Sequence, residues 1–114
     1  MTYNQLDPEK CEFFAVAAVE ELPNGQRIYL EIDDLYIIVF NIADNYFAIA
    51  DLCSHDEEPL DDGELDGYAV ICPRHGARFD VRTGQALTPP AVEAVPAYPV
   101  RVLKGSIEVG LPKE

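Results

Sequence analysis

Cys53-Ser54-His55, then sixteen residues, then Cys72-Pro73-Arg74-His75 gather the side chains of this chain best suited to chemistry. The sequence has two histidines, and both are here. Cys53 and His55 stand two apart, so in an extended segment they point the same way. Cys72 and His75 stand three apart around a proline, a spacing that suits a tight turn. Each segment therefore offers one sulfur and one nitrogen to a common point, which is the composition of a metal site.

Two centres fit that count. One is a tetrahedral zinc with two Cys and two His. The other is a [2Fe–2S] cluster with thiolates on one iron and imidazoles on the other. Zinc sites usually group Cys with Cys and His with His, or use four Cys in two knuckles. Here each segment mixes the two types. A cluster gripped symmetrically by two facing loops needs that mixing.

Further residues extend the pattern. Gly76 follows His75, and Arg78-Phe79-Asp80-Val81-Arg82-Thr83-Gly84 comes next. Together with Cys53-x-His55 and Cys72-x-x-His75, this run resembles the Rieske iron–sulfur family. The likeness spans roughly residues 13 to 110 and is nearest to the small ferredoxins that feed aromatic-ring dioxygenases. The resemblance implies one [2Fe–2S] cluster, with Cys53 and Cys72 on the inner iron and His55 and His75 on the outer one. It also implies that a proline-bearing loop lies over the cluster, and Thr88-Pro89-Pro90-Ala91 stands where that loop is expected. High-potential members add a Cys to each cluster loop and set Ser and Tyr hydroxyls against the cluster sulfurs. Here Arg74 stands at one such Cys position, and Ala77 and Phe79 stand at the hydroxyl positions. Hydrogen bonds to sulfur favour the reduced state, so their loss implies a potential near the lower Rieske end, roughly −150 mV.

The elements that must position these residues read as strands. Glu12–Val19 is apolar, and Glu20–Gly25 is a turn. Ile28, Leu30 and Ile32 alternate with Tyr29, Glu31 and Asp33, the period of a half-buried strand. Asp33-Asp34 reads as a hairpin turn. Leu35–Ile42 is an apolar, β-branched run broken by Asn41, and Ala43-Asp44-Asn45 turns the chain into Tyr46–Ala50. Glu64–Tyr68 leads to a short strand, Ala69-Val70-Ile71, that ends in Cys72. Gly76 is expected to let the backbone approach the cluster. Ala77–Val81 and Gln85–Leu87 flank Thr83-Gly84 as a hairpin. Tyr98, Val100 and Val102 are expected on one face of a single strand, with a turn at Lys104-Gly105 and a closing strand over Ile107–Gly110. No helical period of useful length appears. The expected fold is all-β, an antiparallel sandwich or barrel. Residues 1–114 read as one domain, with a cluster-binding subdomain at about 51–91 inserted in the β framework.

Composition narrows the function. At 114 residues the chain can bury one modest core. No apolar run is long enough to cross a membrane, and Met1–Pro8 has no basic start or apolar stretch, so the expectation is the cytoplasm with no membrane partner. Cys11 is left over and reads as a plain thiol. A net charge of −13 argues against nucleic acid and for basic partner surfaces. Seventeen of the 21 acids lie at or before Asp66, and six of the eight bases lie after Pro73. Asp56, Glu57 and Glu58 follow His55, and Arg74 precedes His75, so a mainly negative docking edge is expected.

A [2Fe–2S] centre passes one electron at a time, and no nucleophile, base or phosphate loop stands near it. Dioxygenase catalytic subunits, which resemble this chain in part, need a second iron held by two His and a carboxylate. No histidine remains for one here. The chain is thus expected to be an electron carrier, not an enzyme, working between a flavoprotein reductase and a terminal oxygenase. The alternatives are a Rieske-like small subunit of an assimilatory nitrite reductase and a structural zinc module.

Overall fold

The computed structural model describes residues 7–51, 60, 63–73, 76–88 and 94–112. Ten strands form among the described residues: β1 Cys11–Ala18, β2 Arg27–Ile32, β3 Leu35–Ile42, β4 Asn45–Ala50, β5 Leu65–Asp66, β6 Ala69–Ile71, β7 Arg78–Asp80, β8 Ala97–Tyr98, β9 Val100–Leu103 and β10 Ser106–Pro112. They make three sheets, ordered β1-β10-β9, β2-β3-β4-β8 and β5-β6-β7, and every pairing is antiparallel. The only helical turns among the described residues are two short 3-10 segments, Pro8–Lys10 and Val19–Glu21.

The four-stranded sheet lies in the middle. On one face Ile37, Val39, Ala48 and Tyr98 pack against Ile107, Val109 and Leu111 of β10. On the other face Ile38, Phe40 and Ile49 pack against Val70, Phe79 and Val81 of the small sheet. This explains the apolar run of β3. A strand covered on both faces loses the alternation that a half-buried strand shows. Phe40 and Phe79 are wholly buried, and each burial stabilises by about 1.5–3 kcal/mol.

Asn41 interrupts that run without leaving a polar group unmet. Its Nδ2 donates to the Leu22 carbonyl at 2.8 Å, and its Oδ1 accepts from the Asp44 amide at 2.8 Å. A buried amide satisfied on both sides costs little, and it fixes the turn on which β4 depends.

Three hairpin turns carry positive φ at both central positions: Asp33-Asp34, Ala43-Asp44 and Lys104-Gly105. That is the twist which suits two-residue hairpins. The sequence places each turn correctly, but it differs from the structure elsewhere. Tyr98, Val100 and Val102 do not share one strand. Pro99 has no amide to donate, and the chain changes sheet there: Tyr98 pairs with β4, while Val100 pairs with β10. Tyr98 is buried and Val102 is exposed. The hairpin around Thr83-Gly84 keeps a single bridge, Phe79 to Ala86, in place of a second strand. β10 also runs longer than Ile107–Gly110.

Ala43 adopts a φ of 55° with no glycine to relieve it. An L-residue in this region costs roughly 1–2 kcal/mol. Ala43→Gly should therefore raise stability by about 1 kcal/mol in a denaturant titration, less what the freer unfolded chain gives back.

Candidate metal centre

The sequence-predicted ligands fall on two segments, whose roots lie in different sheets. The first follows β4. Its root is fixed where the Ala50 amide donates to the Pro96 carbonyl at 2.9 Å and the Asp51 amide to the Tyr36 carbonyl at 2.8 Å. The chain re-enters the core at Leu60, which is wholly buried. Cys53 and His55 lie between these roots, outside the described residues.

The second segment joins β6 to β7. The Cys72 amide donates to the Ala77 carbonyl at 2.7 Å, and the Gly76 amide to the Cys72 carbonyl at 3.0 Å. These bonds close a tight turn, as the proline spacing predicts. Gly76 sits at φ +75°, so the turn needs glycine for backbone shape, whatever approaches it. Cys72 is 1% exposed and belongs to the core shared by the two sheets. It forms no disulfide among the described residues. An open depression lined by Gly63, Glu64, Ile71, Cys72, Pro73 and Gly76 lies beside it. His75 and Arg74 lie outside the described residues. One of the four sequence-predicted ligands is thus placed. A soft sulfur donor held on a closed turn next to open space fits the cysteine side of a cluster site. Among the described residues no group of three metal-ligating side chains gathers, because the other three candidates are not among them.

Ala77 and Phe79 are wholly buried on the same hairpin. Neither carries a hydroxyl, as their types require. Asp56, Glu57, Glu58, Pro59, Pro89, Pro90 and Ala91 also lie outside the described residues. The roots of the proline segment are visible on both sides. The Arg78 amide donates to Thr88 Oγ1 at 3.1 Å, and the Val95 amide donates to the Gly84 carbonyl at 2.8 Å. Gly84 has φ +79°, and a Cβ there would collide with the Val95 carbonyl.

Sequence reasoning missed a polar brace behind the hairpin. Asp80 Oδ1 accepts from the Arg82 amide at 2.8 Å and from Nε at 3.0 Å, while Oδ2 accepts from Nη2 at 2.8 Å. The Arg82 guanidinium lies 4.3 Å from the Tyr68 ring centroid. Tyr68 meets Phe47 of β4 edge-on, with centroids 5.7 Å apart. The brace ties the small sheet to the central one. Its signal was present in Asp80-Val81-Arg82, but Tyr68 and Phe47 are remote in sequence. Burial alone pushes the Asp80 carboxyl up; the Arg82 hydrogen bonds and charge outweigh it and hold the pKa below the ordinary range.

A depressed folded pKa gives stability that is present above the unfolded pKa and lost as pH falls through the folded one. Asp80→Asn should therefore be less stable than the parent at neutral pH. The gap should close as pH falls through the lowered Asp80 carboxyl pKa, measured by thermal melts across an acid series.

Comparison with known proteins adds to this geometry. A family model for the Rieske [2Fe-2S] domain matches residues 12–99. The biphenyl dioxygenase ferredoxin subunit of Pseudomonas sp. (strain KKS102) is 36% identical over 91 residues, 79% of this chain and 84% of that protein. The solved ferredoxin of carbazole 1,9a-dioxygenase from Nocardioides aromaticivorans IC177 superposes with a TM-score of 0.81 at 36% identity, covering 89% of this chain and 98% of that one. A ferredoxin in a complex of reduced oxygenase and oxidized ferredoxin in carbazole 1,9a-dioxygenase superposes equally well, at 0.81 and 27% identity, covering 90% and 95%.

Proposed function

Because the chain belongs to the Rieske [2Fe-2S] domain family, we propose that it is a one-electron carrier serving an aromatic-ring dioxygenase system, with Cys53, His55, Cys72 and His75 as cluster ligands. The observation that carries this reading is the buried Cys72 thiol on a closed turn inside the matched region. When bound, the cluster supplies one-electron transfer. Family membership and ferredoxin relatives favour the cluster over the zinc module, and the carrier over a nitrite reductase subunit.

The residues of this chain do three things toward that end. The backbone bonds of Cys72 to Ala77 and Gly76 fix its place between β6 and β7. Val70, Ala77 and Phe79 keep water from the inner side of the site. The same side chains offer no hydroxyl to a sulfur, which favours a low potential. A donor of low potential suits a flavoprotein reductase upstream, and the complex solved for the carbazole system supports a terminal oxygenase downstream. The cytoplasm is the proposed place of work; among the described residues no helix is long and apolar enough to cross a membrane.

A redox titration tests the reading. The purified protein should be red-brown and should titrate as a one-electron couple near roughly −150 mV. A colourless protein holding one zinc, or a clearly positive midpoint, would contradict it.

A further inference from the structure

The face of the central sheet that meets the small sheet is not covered along its whole length. The register sets Tyr29 opposite Ile38 and Glu31 opposite Tyr36. Ile38 in turn faces Ile49, and both are wholly buried beneath the small sheet. Tyr29, at the edge of that row, is 48% exposed, and Tyr36, in the next row, is 61% exposed. The bond from the Asp51 amide to the Tyr36 carbonyl continues this row toward the root of the first ligand segment. The chain reaches Cys53 two residues later, a span of at most about 7 Å.

Among the described residues of β2, β3 and their turn, the charges near Tyr36 are acidic: Glu31, Asp33 and Asp34 are exposed. The single base on these strands, Arg27, shares the face two residues before Tyr29 and is turned toward Phe40, with its guanidinium 5.0 Å from that ring centroid. A second exposed apolar pair, Val102 and Leu103, lies on β9 in the sheet behind the central one, flanked by Arg101 and Lys104. The tyrosine face is therefore marked by chemistry and by place: aromatic, acidic, and beside the ligand segment.

We propose that Tyr29, Tyr36, Glu31, Asp33 and Asp34 form a docking surface for a redox partner that presents lysines and arginines. Tyrosine rings offer large amphipathic area and a π-face on which a guanidinium or ammonium can rest. The carboxylates steer a basic surface toward that face, and the nearby ligand segment makes the encounter productive. The proposal rests on the electron-carrier reading, which supplies the redox partner.

Cytochrome c, a basic one-electron haem protein, serves as the probe. Its affinity for the cluster-loaded protein is measured by calorimetry over a salt series. Tyr29→Thr with Tyr36→Thr keeps β propensity and should weaken binding roughly fivefold or more. Asp33→Asn with Asp34→Asn should weaken it at low salt and flatten the salt dependence. Val102→Thr with Leu103→Thr should bind as the parent does. All three should keep the parental midpoint potential and the parental far-UV circular dichroism at the assay temperature. A tyrosine pair that binds like the parent overturns the proposal. So does sedimentation showing a parental dimer that the tyrosine pair dissociates, because a second copy would then occupy the face. The underlying reading is tested separately: dithionite-reduced parent should pass one electron to each ferric haem. Failure there sinks the carrier role, while the binding comparison still decides the surface.

Discussion

The burial of β3 on both faces is the constraint from which the rest follows. Ile37 and Val39 point into one core, and Ile38 and Phe40 into the other. The central sheet thereby becomes a wall with a framework sheet behind and a small sheet in front. The first ligand segment leaves from the wall, at the end of β4. The second leaves from the small sheet, between β6 and β7. Their separation is set by how the two sheets pack. Truncating a buried Phe to Ala in such a core costs about 3–5 kcal/mol, a large share of a typical domain's 5–15. Close packing makes that geometry discrete and not adjustable, which a shared metal centre requires.

Backbone bonds then transmit the position of the wall to the ends of each segment. Ala50 and Asp51 are held by Pro96 and Tyr36, and Val95 is held by Gly84. Gly84 thus connects the turn after β7 to the strand that returns beside β4. The Asp80–Arg82–Tyr68–Phe47 brace works in parallel, through charge-assisted bonds and ring contacts. An ion pair of this kind, half-exposed at Arg82, is worth little by itself. Its value lies in orienting Tyr68 against β4.

Much of this was legible from local pattern. The paired Cys and His spacing, the alternation of β2, the apolar run of β3 and the hairpin turns each depend on residues close in sequence. What was not legible depends on partners far away. Tyr98, Val100 and Val102 alternate equally well whether one sheet or two receive them, and only packing decides that Pro99 is a crossing point. Asn41 looks like a flaw in a core strand until Leu22 and Asp44 supply its bonds. β5 has two residues, too short for any period to register. At the site, the turn around Cys72 was readable from Pro73, while Gly76, read as a point of close approach, serves the turn itself. The fixed roots at Asp51 and Val95 were not, since each needs a carbonyl from a remote strand.

The central claim is that the two mixed segments close on one cluster, two thiolates to one iron and two imidazoles to the other. The chain's two histidines make this directly measurable. Protein grown with 15N-histidine, reduced with dithionite and examined by pulsed electron paramagnetic resonance should show two nitrogens strongly coupled to the reduced centre. Signals from one nitrogen or none, or a sample with no paramagnetic centre after iron and sulfide loading, would contradict the assignment of His55 and His75.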